Sequence, residues 1–94
     1  MHVLELTHYT VSSRNLAGFL AARPGIDAAI RSLPGCLETR TAKVDEHRFV
    51  DVVTWVDHAS AERAMELAMA DERLAPLFTL IEDVTMEHAE VLGG

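Results

Sequence analysis

The segment Phe49–Val56 reads FVDVVTWV and puts apolar side chains on both faces of an extended strand. Phe49, Val53 and Trp55 accompany Asp51 on one face, and Val50, Val52 and Val56 accompany Thr54 on the other. Side chains alternate along a strand, so a run of this kind has to be covered twice. In a chain of 94 residues one core is expected, and helices suffice to cover only one face of a small sheet. The segment therefore predicts a single domain over residues 1–94 with helices on one face of a sheet. A second copy of the sheet, supplied by a homodimer partner, is the economical cover for the other.

The flanking segments supply the remaining elements. His2–Val11 is rich in β-branched and aromatic residues and reads as a strand. Ser12 and Ser13 offer capping hydroxyls to a helix in which Leu16, Phe19, Leu20, Ile26, Ile30 and Leu33 recur near the helical period. Pro24 and Gly25 are expected to bend it, as one helical element ending at Pro34 and Gly35. Cys36–Val44 reads as a second strand with Leu37, Thr39 and Thr41 on one side, and Asp45–Arg48 as a polar turn. Beyond Asp57, His58 and Ser60, a second helix runs Ala61–Met69 with Ala61, Ala64, Met65, Ala68 and Met69 as its buried stripe. Asp71–Glu82 restarts a short helical segment around Pro76, Val84–Leu92 returns to strand character, and Gly93 and Gly94 end the chain.

The order β-α-β-β-α-β predicts an α+β, ferredoxin-like fold. Right-handed crossovers then make a four-stranded antiparallel sheet with the first and third strands central.

Composition removes several function classes. A net charge of −7 with only 8 scattered Lys and Arg residues argues against nucleic acid and anionic membranes, which reward clustered positive charge. No apolar run has the length of a membrane span and no basic leader precedes one, so a cytoplasmic location is expected. Cys36 is the sole cysteine; it excludes an intramolecular disulfide and a four-cysteine zinc site, and reads as a packing residue.

Asp51 is the polar outlier of the central strand. Desolvation among Phe49, Val53 and Trp55 would raise its pKa and make it a base; alternatively it is satisfied by a helix end, Arg23 or Arg40. Trp55, on the same face, either fills the core or walls a cavity. His88 in the last strand has the titration range of an acid or base, or is a hydrogen-bonded structural histidine; whether it meets His8 depends on register. Glu87 points away from His88 and no third ligand joins the histidines, so no metal site is expected. Tyr9 suits either an aromatic ligand or an interface.

Three patterns carry a family resemblance: Leu33-Pro34-Gly35-Cys36-Leu37 leading into the second strand, Phe49–Trp55 in the third, and Ala61–Ala68 after it. With the element order, they resemble the antibiotic biosynthesis monooxygenase family of dimeric α/β-barrel proteins. The resemblance implies a homodimer whose two sheets form a barrel, with a pocket in each subunit. It also implies chemistry without flavin, metal or other cofactor: a phenolic or polyketide-like substrate is deprotonated and its carbanion reacts with dioxygen. Trp55 matches the family's pocket tryptophan, Asp51 stands where an asparagine is usual, and Ala61 stands where a tyrosine is usual. Haem-degrading relatives carry a histidine on the second helical segment, whereas Leu74–Phe78 here contains none, so haem is not expected.

On this footing the candidate catalytic residues are Asp51, Trp55 and His88, and Tyr9, Phe49 and Phe78 are candidate substrate contacts. A noncatalytic small-molecule binder, favoured if Asp51 is locked in a salt bridge, and an isomerase using the same pocket are the alternatives.

Overall fold

A computed structural model describes residues 1–93; Gly94, read as the end of the chain, lies outside them. The elements are β1 (Val3–Thr10), α1 (Ser13–Arg31), β2 (Cys36–Lys43), β3 (Arg48–Trp55), α2 (His58–Ala70), a 3-10 turn (Glu72–Leu74), α3 (Ala75–Leu80) and β4 (Glu82–Glu90). The strands form one antiparallel sheet in the order β2-β3-β1-β4, so β1 and β3 are central, as the ferredoxin-like order requires.

Register sorts the side chains. Val3 pairs with Trp55, Glu5 with Val53, Thr7 with Asp51 and Tyr9 with Phe49, which puts these eight residues on one face. The helices cover that face: Val3, Tyr9, Phe49, Val53 and Trp55 are buried against Phe19, Ile26 and Ala29 of α1 and Ala61 and Ala64 of α2. On the opposite face Leu4, Leu6, Val50 and Val52 remain half-exposed at the centre, with Glu38, Arg40, Thr85 and Glu87 around them. No helix among the described residues is long and apolar enough to cross a membrane.

The sequence expectations shift at several joints. α1 runs unbroken through Pro24 and stops at Arg31 rather than at Pro34 and Gly35. Its buried residues Phe19, Arg23, Ile26, Ala29 and Ile30 keep one face across the proline. Ser12 occupies the N-cap position, yet its hydroxyl makes no capping bond. Asp57 does cap α2, accepting from the Ser60 amide at 2.8 Å, and that bond starts the helix at His58 instead of Ala61. Within α2 only Ala61 and Ala64 are buried; Met65 and Met69 are exposed, because the helix meets the sheet along its small residues. In β2 the register skips between Cys36 and Glu38, so Leu37 is the extra residue of a bulge and is exposed.

Gly35 closes the turn from α1 into β2 with φ +85°, a left-handed conformation that a side chain resists, and a Cβ there would lie 2.5 Å from Ser60 Oγ. Gly35→Ala is expected to destabilise the fold by about 2 kcal/mol or more, combining the left-handed penalty with the clash. Gly18→Ala, on an open helical position with nothing within 4 Å, is expected to stabilise it by about 0.5–1 kcal/mol. Urea midpoints at constant m-value measure both.

Candidate functional site

A cavity of about 290 Å³ lies between the sheet and the helices. Its floor is the helix-facing side of the sheet, including Glu5, Thr7, Asp51, Val53, Trp55 and Met86; Ala64 and Ala68 of α2 stand over it with Leu74, Leu77 and Phe78. The space follows from the sequence of α2: alanines at those positions have no side chain to reach the sheet. Met65, Phe78, Val84 and Met86 both line the cavity and are exposed, so its mouth opens between β4 and the helical segments α2 and α3.

One end of this apolar space is polar. Asp51, 5% exposed, is held from three elements. Tyr9 of β1 donates its hydroxyl to Oδ1 at 2.7 Å, Thr41 of β2 donates to the same oxygen at 2.8 Å, and Arg23 Nη2 of α1 donates to Oδ2 at 3.3 Å. Arg23 also donates Nη1 to the Tyr9 oxygen at 3.2 Å and Nε and Nη2 to Asp27 Oδ1 at 3.0 and 2.8 Å. The carboxylate is thus not surrounded by apolar groups alone; an ion pair and two hydroxyls oppose its desolvation. Burial pushes the Tyr9 phenol far above its ordinary value, and the negative charge of Asp51 and the bond to it push the same way, with Arg23 opposing. Tyr9 therefore serves as a neutral donor and not as a base.

The other candidate residues separate. Trp55 lines the cavity beside Val53, and its Nε1, like Thr39 Oγ1, is buried without a partner among the described residues. Phe78 stands at the mouth. Phe49 lies outside this cavity, stacked on Tyr9 at 6.1 Å and against Phe19 at 4.9 Å, so it backs the Tyr9 ring. His88 shares the helix-facing side with Glu5, its register partner, and places Nε2 3.2 Å from Glu5 Oε1, outside the bonding range of the Asp51 network. His8 pairs with Thr85 on the opposite face, so the two histidines do not meet. Among the described residues no group of three or more His, Cys, Asp or Glu side chains is placed to hold a metal ion.

Of the two cations named from sequence as partners for Asp51, Arg23 meets it and Arg40 pairs with Glu38 instead; Thr41 and Glu5 join the site without having been named as site residues. Arg23 had a signal, as a charge in phase with Phe19, Ile26 and Ile30 on the buried side of a helix. Glu5 had the same kind of signal, lying between Val3 and Thr7 on the face that carries Tyr9. Thr41 had none beyond alternation.

No protein-family model matches the chain, and no curated protein matches its sequence. Solved structures do match its fold. A Deinococcus radiodurans protein described as a candidate antibiotic biosynthesis monooxygenase superposes with a TM-score of 0.79 at 17% identity, over 98% of this chain and 94% of that one. SnoaB, a cofactor-independent oxygenase from Streptomyces nogalater, gives 0.76 at 17% identity over 99% and 95%. A further antibiotic biosynthesis monooxygenase gives 0.74 at 16% over 97% and 99%. The chain has the fold of antibiotic biosynthesis monooxygenases.

Tyr9 is the only tyrosine, so absorbance at 295 nm reads its ionisation alone. Its folded pKa lies above the unfolded value, so the stability it contributes is complete below about pH 10 and is lost as pH rises beyond that. The native protein is expected to show no tyrosinate at pH 10.5, with the signal rising only together with loss of the far-UV circular dichroism. Tyr9→Phe is expected to remove this part of the alkaline slope.

Proposed function

We propose that this chain is a cofactor-independent oxygenase acting on an aromatic, hydroxyl-bearing small molecule. The observation that carries the reading is the apolar cavity of about 290 Å³ that ends at Asp51, Tyr9 and Arg23. A planar ring fits between Trp55 and the alanines of α2, and the polar end receives its oxygen. Asp51 has spent three acceptor positions on Tyr9, Thr41 and Arg23, and its remaining lone pair anchors a substrate hydroxyl. Trp55 orients the ring. Oxidation of an anthrone-type methylene to a carbonyl releases four electrons from two C–H bonds, which reduce dioxygen to the new carbonyl oxygen and one water. The reaction balances without an external reductant. The likeness in fold to SnoaB supports the reading.

A second reading is noncatalytic binding of the same class of molecule. It is favoured by the ion pair of Asp51 with Arg23, which suits a fixed anchor.

Oxygen uptake with an anthrone-type substrate decides between them. We expect saturable uptake by the wild type, with kcat/KM lowered roughly 10-fold or more in Asp51→Asn and Trp55→Phe through lost anchoring and orientation. No uptake across a panel of polycyclic phenols that nevertheless bind would establish the second reading.

The outer face of the sheet supports the homodimer. Leu4, Leu6, Val50 and Val52 form an apolar centre on the two central strands with polar edges, the anatomy of an interface core and rim. Light scattering at micromolar concentration is expected to give twice the 10.3 kDa chain mass, and Val52→Asp to give the chain mass. A wild-type monomer would contradict the assignment.

A further inference from the structure

Two carboxylates line the cavity floor, and their surroundings differ. Asp51 faces a guanidinium and two hydroxyls. Glu5, whose side chain is 17% exposed, has one bonding partner among the described residues, His88 Nε2, 3.2 Å from its Oε1. Its Oε2 is thus a carboxylate oxygen on the floor with no bonding partner among the described residues, reached from β1 at the row between Trp55 and Asp51. His88 lies on the edge strand with its side chain 27% exposed, and its ring meets that of His58 edge-on at 5.6 Å. His58 is exposed and lies 3.0 Å from Glu62 Oε1. A carboxylate facing the cavity, a histidine behind it and a histidine in solvent follow one another outward.

We infer that Glu5 is the proton acceptor of this cavity and that His88 positions it and connects it to solvent, an inference that rests on the oxygenase reading above. Glu5 Oε2 takes one C–H proton of the bound substrate; the electron pair stays on carbon and passes to dioxygen as the C–O bond forms. The proton returns to the peroxide so produced. The second C–H proton goes to Glu5 as the O–O bond breaks to give the carbonyl and hydroxide, which collects that proton and leaves as water. Glu5 ends as the carboxylate it began. His88 touches no substrate in this scheme and acts through Glu5, holding Oε1 so that Oε2 faces the cavity. The other charged or titratable groups around the pair are His58 and Glu62 from α2, Glu90 on the same side of β4, Asp51 on β3, and Cys36 of β2 with Arg31 beyond it. Burial pushes the Cys36 thiol up, and the charge of Glu5 adds to that.

Proton abstraction is measurable without oxidation. Under argon in D2O buffer, with anthrone as probe, exchange of its methylene hydrogens is followed by NMR, alongside oxygen uptake in air. The wild type is expected to accelerate exchange, and Glu5→Gln to lower that acceleration roughly 100-fold, the scale of a lost general base, with saturation by anthrone unchanged. Glu90→Gln, which removes a neighbouring charge outside the cavity, is expected to leave it unchanged. His88→Asn is expected to slow exchange and to change the shape of its pH profile, with saturation by anthrone unchanged, and His88→Gln to behave alike. Exchange that depends on Glu5 without oxygen uptake would uphold the inference and overturn the oxygenase reading. Oxygen uptake with exchange equal in wild type and Glu5→Gln would overturn the inference and leave that reading standing, and no acceleration by the wild type would overturn the inference as well.

Discussion

A carboxylate in the middle of a central strand, on the face that the helices cover, has to be neutralised where it stands. Asp51 meets that demand from three directions at once: Arg23 from α1, Tyr9 from β1 and Thr41 from β2. The network therefore fixes the long helix against three of the strands at one point. Taking away one partner of such a buried pair costs about 3–5 kcal/mol, because the remaining charge is stranded. The ion pair is thus a registration device as much as a source of stability. It holds Arg23, the residue before Pro24, in phase with Phe19 and Ile26, so the apolar side of α1 continues through the proline.

The cavity follows from an asymmetry between the helices. α1 faces the sheet with Phe19, Ile26 and Ile30 and fills its share of the interface, whereas α2 presents Ala61, Ala64 and Ala68. Small residues let the second helix sit on the sheet at its start and leave space beside Trp55 and Val53 farther along. The rim carries Met65, Met86 and Phe78, and unbranched methionines adapt to ligands of differing outline. A rigid polar end and an adaptable apolar mouth suit a molecule recognised by one oxygen and a flat ring.

Much of the fold was legible in the sequence because it rests on periodicity. The two-sided pattern of Phe49–Val56 called for a central strand, and the β-α-β-β-α-β order gave the strand neighbours. That Asp51 and Trp55 share one face was legible because alternation puts them there; that this face floors a cavity was not. What was not legible depends on register and on long-range partners. Arg23 lies 28 positions from Asp51, and no local pattern says which cation will reach the carboxylate. The bulge at Leu37 and the pairing of His88 with Glu5 rather than His8 are set by strand register. Helical period alone marks Met65 and Met69 as apolar positions of α2 without saying how wide a stripe the sheet covers, and the sheet covers only the alanines.

The central claim is that the space beside Trp55 is a binding site for a flat aromatic molecule. Trp55 is the only tryptophan, so its fluorescence reports on that space directly. Titration with a hydroxylated anthraquinone is predicted to quench it saturably at one site per chain, with quenching abolished by Ala68→Phe, which fills the cavity from α2, while the far-UV circular dichroism is unchanged. Unsaturable quenching, or quenching equal in wild type and Ala68→Phe, would contradict the account.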